Sequence, residues 1–424
     1  MPAHFVYDIF FATFAFLAGA CIGSFLNVCI YRVPLGISVN HPKRSFCPLC
    51  KYQIPWTSNL PLITWTVQGG KCKNCRAPIP VRYIGIELLT ALLFLAVWWR
   101  LAYHSGAAYP GNWVLIFPMF TFTSLLVVAT FIDFEHYIIP DGVTVGGAVA
   151  GLIFSAAFPW LHGESGIGVM ENIRSLGMSA LGAGVGFFLL WAVVELGKLA
   201  FGKKRLVLDG AKHFSWLRRP VETPEGIQHD ADLVIGDPAE DGPNHGGCRR
   251  MLEAFRLVKA LPVPGEKFVW SETFMRDSDK FTMDCEHAAV DGEAQGKCVL
   301  RFAYESLAIG ERTWRLDEVS EIRGSVVNVV FPQEAMGFGD VKFMACIGAF
   351  LGWKGALFSI TAGSCIGAVV GIVVSQIAGR SGKSIKLPFG PYLAMGALVW
   401  FFYGRELMDW YFALLEPSFE SLSQ

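Results

Sequence analysis

Two aspartates and two pairs of cysteines are the residues of this 424-residue chain whose types and spacing could do chemistry. Asp340 lies in "MGFGDVK" (336–342), behind Gly337 and Gly339 and at the mouth of an apolar run. Asp133 lies in "FIDFEHYIIPD" (131–141), at the end of another apolar run, with Glu135 and Asp141 close behind it. Two carboxylates that approach closely cannot both ionise comfortably, so they share one proton. The ionised one can draw a proton from water while the protonated one polarises a peptide carbonyl. Amide hydrolysis then needs no covalent intermediate. Gly337 and Gly339 lack Cβ atoms, so backbone or substrate can come close beside Asp340. A helix N-terminus there favours the anion. Taken singly, Asp133 reads equally well as an interfacial residue and Asp340 as a helix cap. The pair reads as chemistry if both lie on one face of one membrane.

The cysteines form two C-x-x-C units, Cys47 with Cys50 and Cys72 with Cys75. Their flanks repeat: "CPLCKYQIP" and "CKNCRAPIP" both read C-x-x-C-basic-x-x-Ile-Pro. Four thiolates in this arrangement match a closed, tetrahedral, structural zinc site. The 21 residues between the units slightly exceed the usual ribbon spacing and leave room for a small loop. Disulfides are the alternative, and placement in a reducing compartment argues against them. A closed four-sulfur site holds a fold and leaves no open position for catalysis. The other seven cysteines are scattered and read as small packing residues.

The elements that must position these groups are membrane helices. Hydrophobic residues make up 53% of the chain and charged ones 17%, with a mean hydropathy of +0.42. The net charge of −1 is neutral on nucleic acid, and none is expected as a partner. The first apolar stretch has no basic leader and runs on too far for a signal peptide. Apolar blocks predict spans at 9–30, 83–103, 113–132, 142–162, 175–200, 341–353, 355–377 and 389–412. The span 341–353 is too brief to cross upright. Basic residues concentrate in 31–82 and in 378–388, whereas 104–112 and 163–174 hold Arg174 alone. By the positive-inside rule the basic stretches face the cytoplasm. Parity then puts Asp133, at the inward end of the third span, and Asp340, opening the sixth, on that same face. The fold class expected is an all-α polytopic membrane protein of about eight transmembrane helices. It carries a small zinc-ribbon-like cytoplasmic loop (31–82) and an inserted cytoplasmic domain (204–333).

These stretches resemble a known family, the bacterial type IV prepilin peptidases, which are GxGD-type membrane aspartic proteases. "GACIGSFLNVCIYRVP" (19–34) is similar to the family's first-span signature, with the paired C-x-x-C loop following in the right place. "RYIGIELLTALLF" (82–94) resembles the second span with its Glu87, and "KLPFGPYLAMGAL" (386–398) the closing segment. "IDFEHYIIPD" and "MGFGDVK" resemble the two aspartate motifs. The resemblance implies that Asp133 and Asp340 are the catalytic pair and that Asp141 is not. It implies removal of a short basic leader from pilin or type II secretion pseudopilin precursors at the cytoplasmic face of the bacterial inner membrane. It also implies, for many members, N-methylation of the new terminus from S-adenosylmethionine. The implied partners are the lipid bilayer and a prepilin or pseudopilin helix.

Several residues carry smaller expectations. Glu87 is suited to hold a positive leader or a methyl donor, and equally to pair with a nearby Arg or Lys. Glu195 is placed to pair with Lys198, and Asn27 to hydrogen-bond a neighbouring helix. The insert of about 130 residues departs from the family. Its alternating segment 297–319 suggests strands, two or three short strands around Trp270 and Trp314 would make a small cytoplasmic domain, and 236–247 has turn chemistry. His213, His229, His245 and His287 are too scattered to propose a metal. Two other classes compete: a presenilin-like GxGD protease, whose first aspartate follows a tyrosine where this chain has Ile132, and a zinc-stabilised transporter or assembly factor that uses the carboxylates to move protons or cations.

Overall fold

The computed structural model describes residues 3–42, 44–47, 49–55, 58–103, 112–164, 166, 168–201, 203–223, 226–235, 267–269, 281–303, 306–332, 337–377 and 387–415. The chain divides into two units, 1–192 with 336–377 and 387–424, and 193–335 with 378–386.

The first unit is helical. Its elements are α1 (Ala3–Arg32), a short α2 (Ile63–Val67), α3 (Arg82–Trp98), α4 (Ile116–His136), α5 (Asp141–Ala157), α6 (Val169–Phe201), α7 (Phe338–Ile377) and α8 (Gly390–Leu415). Among the described residues five stretches are long and apolar enough to cross a membrane: Asp8–Leu35, Arg82–Ala102, Ile116–His136, Val169–Gly197 and Phe338–Gln376. This is a polytopic membrane protein. Eight spans were expected, and the element boundaries differ from that expectation for local causes. Segment 142–162 is a 17-residue helix that stops before Pro159, whose missing N–H cannot continue it. The expected pair 341–353 and 355–377 is seen as two helical halves of α7 that meet at Gly352, where the backbone leaves the helical conformation. There φ is 71° and ψ 178°, a conformation that glycine adopts without steric cost. α6 begins at Val169 rather than 175, because the helix continues through Glu171, Asn172 and Arg174 beyond the apolar belt.

Packing in this unit depends on backbone approach at small residues, as expected where apolar surface gives helices no preference for each other over lipid. Gly19 and Gly23 lay α1 against Thr90, Ala91 and Glu87 of α3. Gly182 and Gly186 lay α6 against α7, where a Cβ on Gly182 would stand 2.2 Å from the carbonyl oxygen of Gly348. Gly182→Ala therefore forces the two helices apart. The expected cost is about 1–3 kcal/mol, read as a lower thermal midpoint in detergent. An unchanged midpoint would show that the helices do not cross this closely. Asn27 bridges α1 and α3 as its polarity suggested, donating from Nδ2 to the Tyr83 carbonyl at 3.0 Å.

The second unit contains an eight-stranded antiparallel sheet in the order β3-β2-β1-β8-β4-β5-β6-β7. The strands are β1 (Lys203–Thr223), β2 (Gly226–Ile235), β3 (Lys267–Val269), β4 (Phe281–Val290), β5 (Glu293–Phe302), β6 (Ser306–Ile309), β7 (Arg312–Arg315) and β8 (Glu321–Pro332). Eight strands replace the two or three expected. β1 was missed because Asp209, Gly210 and several charges interrupt its alternation, yet Phe214 and Trp216 are buried on one face with exposed His213 before them. The core gathers Phe214, Trp216, Phe281, Met283, Leu300 and Phe302. Asp291 and Gly292 both have positive φ, as a two-residue type I′ hairpin between β4 and β5 requires. Trp314 lies on β7, while Trp270, His245 and the turn segment 236–247 fall outside the described residues. His213 and His287 are less scattered than expected: both sit opposite Ser325 of β8, with ring centroids 6.5 Å apart.

Candidate active site

Asp133 occupies the last turn of α4, and the helix stops just beyond it. Tyr137 caps that end in the left-handed region (φ 55°) and donates its N–H to the Asp133 carbonyl at 2.9 Å. The chain then runs extended through Pro140 into α5. Asp340 is in the first turn of α7, its N–H directed to the Gly337 carbonyl at 3.2 Å. Both carboxylate residues are buried, 5% and 7% exposed, which for two acids demands an explanation.

The fold brings them together. Their charges interact, and they share neighbours on either side of Ile139. A Cβ on Gly339 would lie 3.3 Å from the Ile139 nitrogen, and one on Gly390 would lie 3.0 Å from Ile139 Cδ1. Gly390, the first residue of α8, donates its N–H to Asp133 Oδ2 at 2.9 Å. A Cβ there would stand 2.8 Å from the same oxygen, so the contact requires glycine. Tyr137 and Tyr392 lie within electrostatic reach of Asp133. Asp340 Oδ1 is buried with no hydrogen-bond partner among the described residues. Among the described residues no lysine or arginine pairs with either aspartate. Acids retained in this way, without a countercharge, mark a site rather than a strut.

The outer acids of the first motif are occupied instead. Glu135 is paired with Arg82 of α3. Asp141 Oδ1 accepts from Lys342 Nζ at 2.6 Å, tying the start of α5 to the start of α7. Asp141 is 68% exposed, so this pair contributes little to stability. Sequence reasoning missed Gly390, which lies 257 residues from its partner. The glycine of "FGPY" was visible, but nothing local told its role.

The four cysteines come together in the loop between α1 and α3. Their sulfurs lie within 4.8 Å of one another, with Cys47 and Cys75 Sγ at 3.8 Å and Cys50 and Cys72 Sγ at 4.0 Å. A tetrahedron with metal–sulfur bonds of about 2.3 Å has edges of about 3.8 Å. The sulfurs are free thiols, far beyond disulfide distance. The repeat in sequence is a repeat in backbone. Cys47 N–H donates to the Tyr52 carbonyl and Cys72 N–H to that of Ala77, while Lys51 and Arg76 both take positive φ. Backbone N–H of Tyr52 and the Asn74 amide draw the Cys50 thiol down to about 6. For Cys75 the Ala77 N–H pulls the same way, but loss of water and the adjoining thiols push it up to about 11. The cluster could hold a metal ion. Arg32, 3% exposed, organises the loop's approach by donating to the carbonyls of Ser38, Val39, Pro42 and Arg44.

Glu87 pairs with no cation among the described residues; it accepts from Leu62 N–H at 2.8 Å and from the Ser24 side chain. The proposed partner of Glu195 cannot be placed, because the side chain of Lys198 lies outside the described ones.

Fold and site together define a polytopic membrane protein with a buried aspartate pair at helix ends and a four-cysteine loop. Residues 17–101 match the family model of the bacterial peptidase A24 N-terminal domain, and residues 120–207 and 314–372 that of the type IV leader peptidase family. A protein of Myxococcus xanthus named prepilin leader peptidase/N-methyltransferase is 38% identical over 213 residues, 49% of this chain and 57% of that one. Proteins of the same name from Aeromonas hydrophila and Klebsiella pneumoniae are 34% and 32% identical. These matches cover 45% and 47% of this chain, and 66% and 80% of the relatives. The chain thus spans less than two thirds of the first two relatives' length. No solved structure matches it. The chain belongs to the type IV leader peptidase family.

Proposed function

We propose that the chain is a membrane aspartic endopeptidase that removes the basic leader from prepilins or type II secretion pseudopilins. The observation that carries this reading is the pair of buried aspartates, one aligned by the Gly390 N–H, with no countercharge among the described residues. One proton is shared by the pair rather than assigned to either member. The ionised carboxylate takes a proton from water, the oxygen attacks the scissile carbonyl, and the protonated carboxyl donates to the carbonyl oxygen. Collapse of the tetrahedral intermediate breaks the C–N bond and returns a proton to the leaving amine. The Gly390 N–H holds Asp133 in place through these steps.

In this reading eight segments cross the bacterial inner membrane, with α5, both halves of α7 and α8 completing the set. The basic loop 31–82 and both aspartates then face the cytoplasm. A substrate helix lying in the bilayer with its basic leader inside would present its scissile bond at that face. Cleavage of a leader-bearing pilin peptide by purified protein tests the proposal, and failure of correctly inserted protein to clip it would refute it. The ion at Cys47, Cys50, Cys72 and Cys75 is zinc, which holds the loop as a small ribbon and takes no part in the chemistry. N-methylation of the new terminus follows from S-adenosylmethionine, as the relatives' shared name suggests.

The sheet insertion serves recognition rather than chemistry. Lys203 at its beginning pairs with Pro332 at its end, so the two strand termini lie side by side. A short linker can close that gap at small entropic cost. Replacing 206–332 by such a linker is expected to leave zinc content and short-peptide cleavage within about threefold, an effect below 1 kcal/mol. If the shortened protein inserts normally but cannot cut a short peptide, the insertion helps build the active site.

A further inference from the structure

A cavity of about 620 Å³ opens at the far end of the helical unit from the aspartate pair. Met119, in the first turn of α4, borders it, whereas Asp133 lies in the last turn of the same helix. The 21 residues of α4 set those two ends about 30 Å apart, so the peptidase chemistry makes no use of this space. The walls come from the residues just after α3, from α4, from the break in α7 and from α8. They are largely apolar and held from behind. Phe350 stacks on Phe122 with ring centroids 4.8 Å apart. Trp400 packs against Phe358 at 5.3 Å, and its indole lies where a Cβ on Gly355 would be 2.8 Å away.

The rim is charged, and its charges are unevenly used. Arg100 is committed: its Nε donates to the Phe402 carbonyl at 3.1 Å, and its guanidinium pairs with Glu406 at 2.9 Å. Lys354 and Asp409 border the same cavity, and among the described residues neither has an ionic partner, each other included. Lys354 Nζ lies 5.7 Å from the Trp353 ring centroid. It stands in the first turn of α7 beyond Gly352, where the dipole of that half-helix adds to its positive field. Trp410 and Tyr411 follow Asp409 and are exposed, as aromatic residues are at a bilayer surface.

A purely anionic ligand would meet Asp409, and a purely cationic one Lys354. Charge complementarity therefore selects a zwitterion, and the apolar walls select one that carries hydrocarbon. The volume falls within the range of about 300–1,000 Å³ typical of ligand sites. A carboxylate takes its strongest hydrogen bonds from the N–H groups of a cation, which favours a primary ammonium over a quaternary one.

We propose that this cavity seats one membrane phospholipid with an ethanolamine headgroup, its phosphate against Lys354, its ammonium against Asp409 and the upper part of an acyl chain along Met119, Phe350 and Trp400. The lipid takes no part in leader cleavage or methylation. It fills the space that α4, α7 and α8 leave between them at this face.

The test uses full-length protein reconstituted into vesicles of equal parts phosphatidylethanolamine, phosphatidylglycerol and phosphatidylcholine, then re-extracted in mild detergent for native mass spectrometry. One phosphatidylethanolamine is expected to stay bound, preferred over each of the others by at least about tenfold, the size of one charge-assisted hydrogen bond. Lys354→Gln and Asp409→Asn are each expected to lower its retention by a similar factor, and Asp409→Asn also to erase the preference over phosphatidylglycerol. A phosphatidylethanolamine with a photoreactive group near the top of one acyl chain is expected to label tryptic peptides 343–354 and 387–405, which contain Phe350 and Trp400. Equal retention of phosphatidylglycerol or phosphatidylcholine, unchanged retention in either variant, or label confined to other peptides overturns the assignment. So does the absence of any retained lipid. Should both variants misfold, the headgroup preference and the position of the label on the unmodified chain decide.

Discussion

Asp133→Asn and Asp340→Asn will each lower leader cleavage by at least about a hundredfold, the smaller end of what a positioned acid or base contributes. A carboxamide keeps the size of the group and can still accept the Gly390 N–H, so the loss isolates the proton rather than the packing. Asn can neither take a proton from water nor hold one to donate, and either failure stops the pair. Asp141→Asn is the internal control. It removes only an exposed ion pair with Lys342, and its effect on cleavage is expected to stay within about tenfold, because such pairs contribute 0–1 kcal/mol. Single-turnover assays on protein checked for insertion and zinc content measure all three. Near-normal turnover by either first-named variant would sink the catalytic assignment.

Removing the metal is the second large effect. Purified protein is expected to hold one zinc, and structural sites of this kind bind with apparent free energies of about 10–16 kcal/mol. Among the described residues the cysteine units form only two one-bridge hairpins, so beyond the Arg32 and Glu87 contacts the metal is what holds them. Cys47→Ser or Cys72→Ser, at the buried positions, should therefore lose the ion and open the segment 44–80 to protease. The helices should remain, since they pack through α1–α3 contacts at Gly19 and Gly23 that owe nothing to the loop. Elemental analysis combined with limited proteolysis tests this. Metal-free protein with a protected loop would disprove the structural role.

The candidate groups were legible in the sequence where they reside in residue type at short spacing. The C-x-x-C units announced four thiols, and the repeat in their flanks became a repeat of hydrogen bonds. The aspartates were legible because acids at the ends of apolar runs are costly. What sequence could not supply was anything assembled across distance. Gly390 meets Asp133, and Lys342 meets Asp141, only because α4, α5, α7 and α8 converge. The state of Glu87 was equally hidden: spacing allowed a salt bridge, and only the surroundings showed Leu62 N–H and Ser24 as its partners, with no cation among the described residues. Element boundaries shifted where hydropathy saw one property and the backbone another. Gly352 separates two helices inside one apolar stretch, and Pro159 ends a helix inside another. The long strands β1 and β8 escaped because half-buried strands with glycine, charge and bulges lose strict alternation.

The glycine crossing of α6 and α7 has a mechanical consequence. Gly348, pressed against Gly182, is a fulcrum, and Asp340 rides at the end of the arm. Eight residues of helix make that arm about 12 Å long. A tilt of about 5° around the fulcrum moves the carboxylate by about 1 Å, a displacement of the size that can cost about a hundredfold in rate. Bulk added at this crossing would then be felt as misalignment two turns away, in a protein that still folds and still holds its metal.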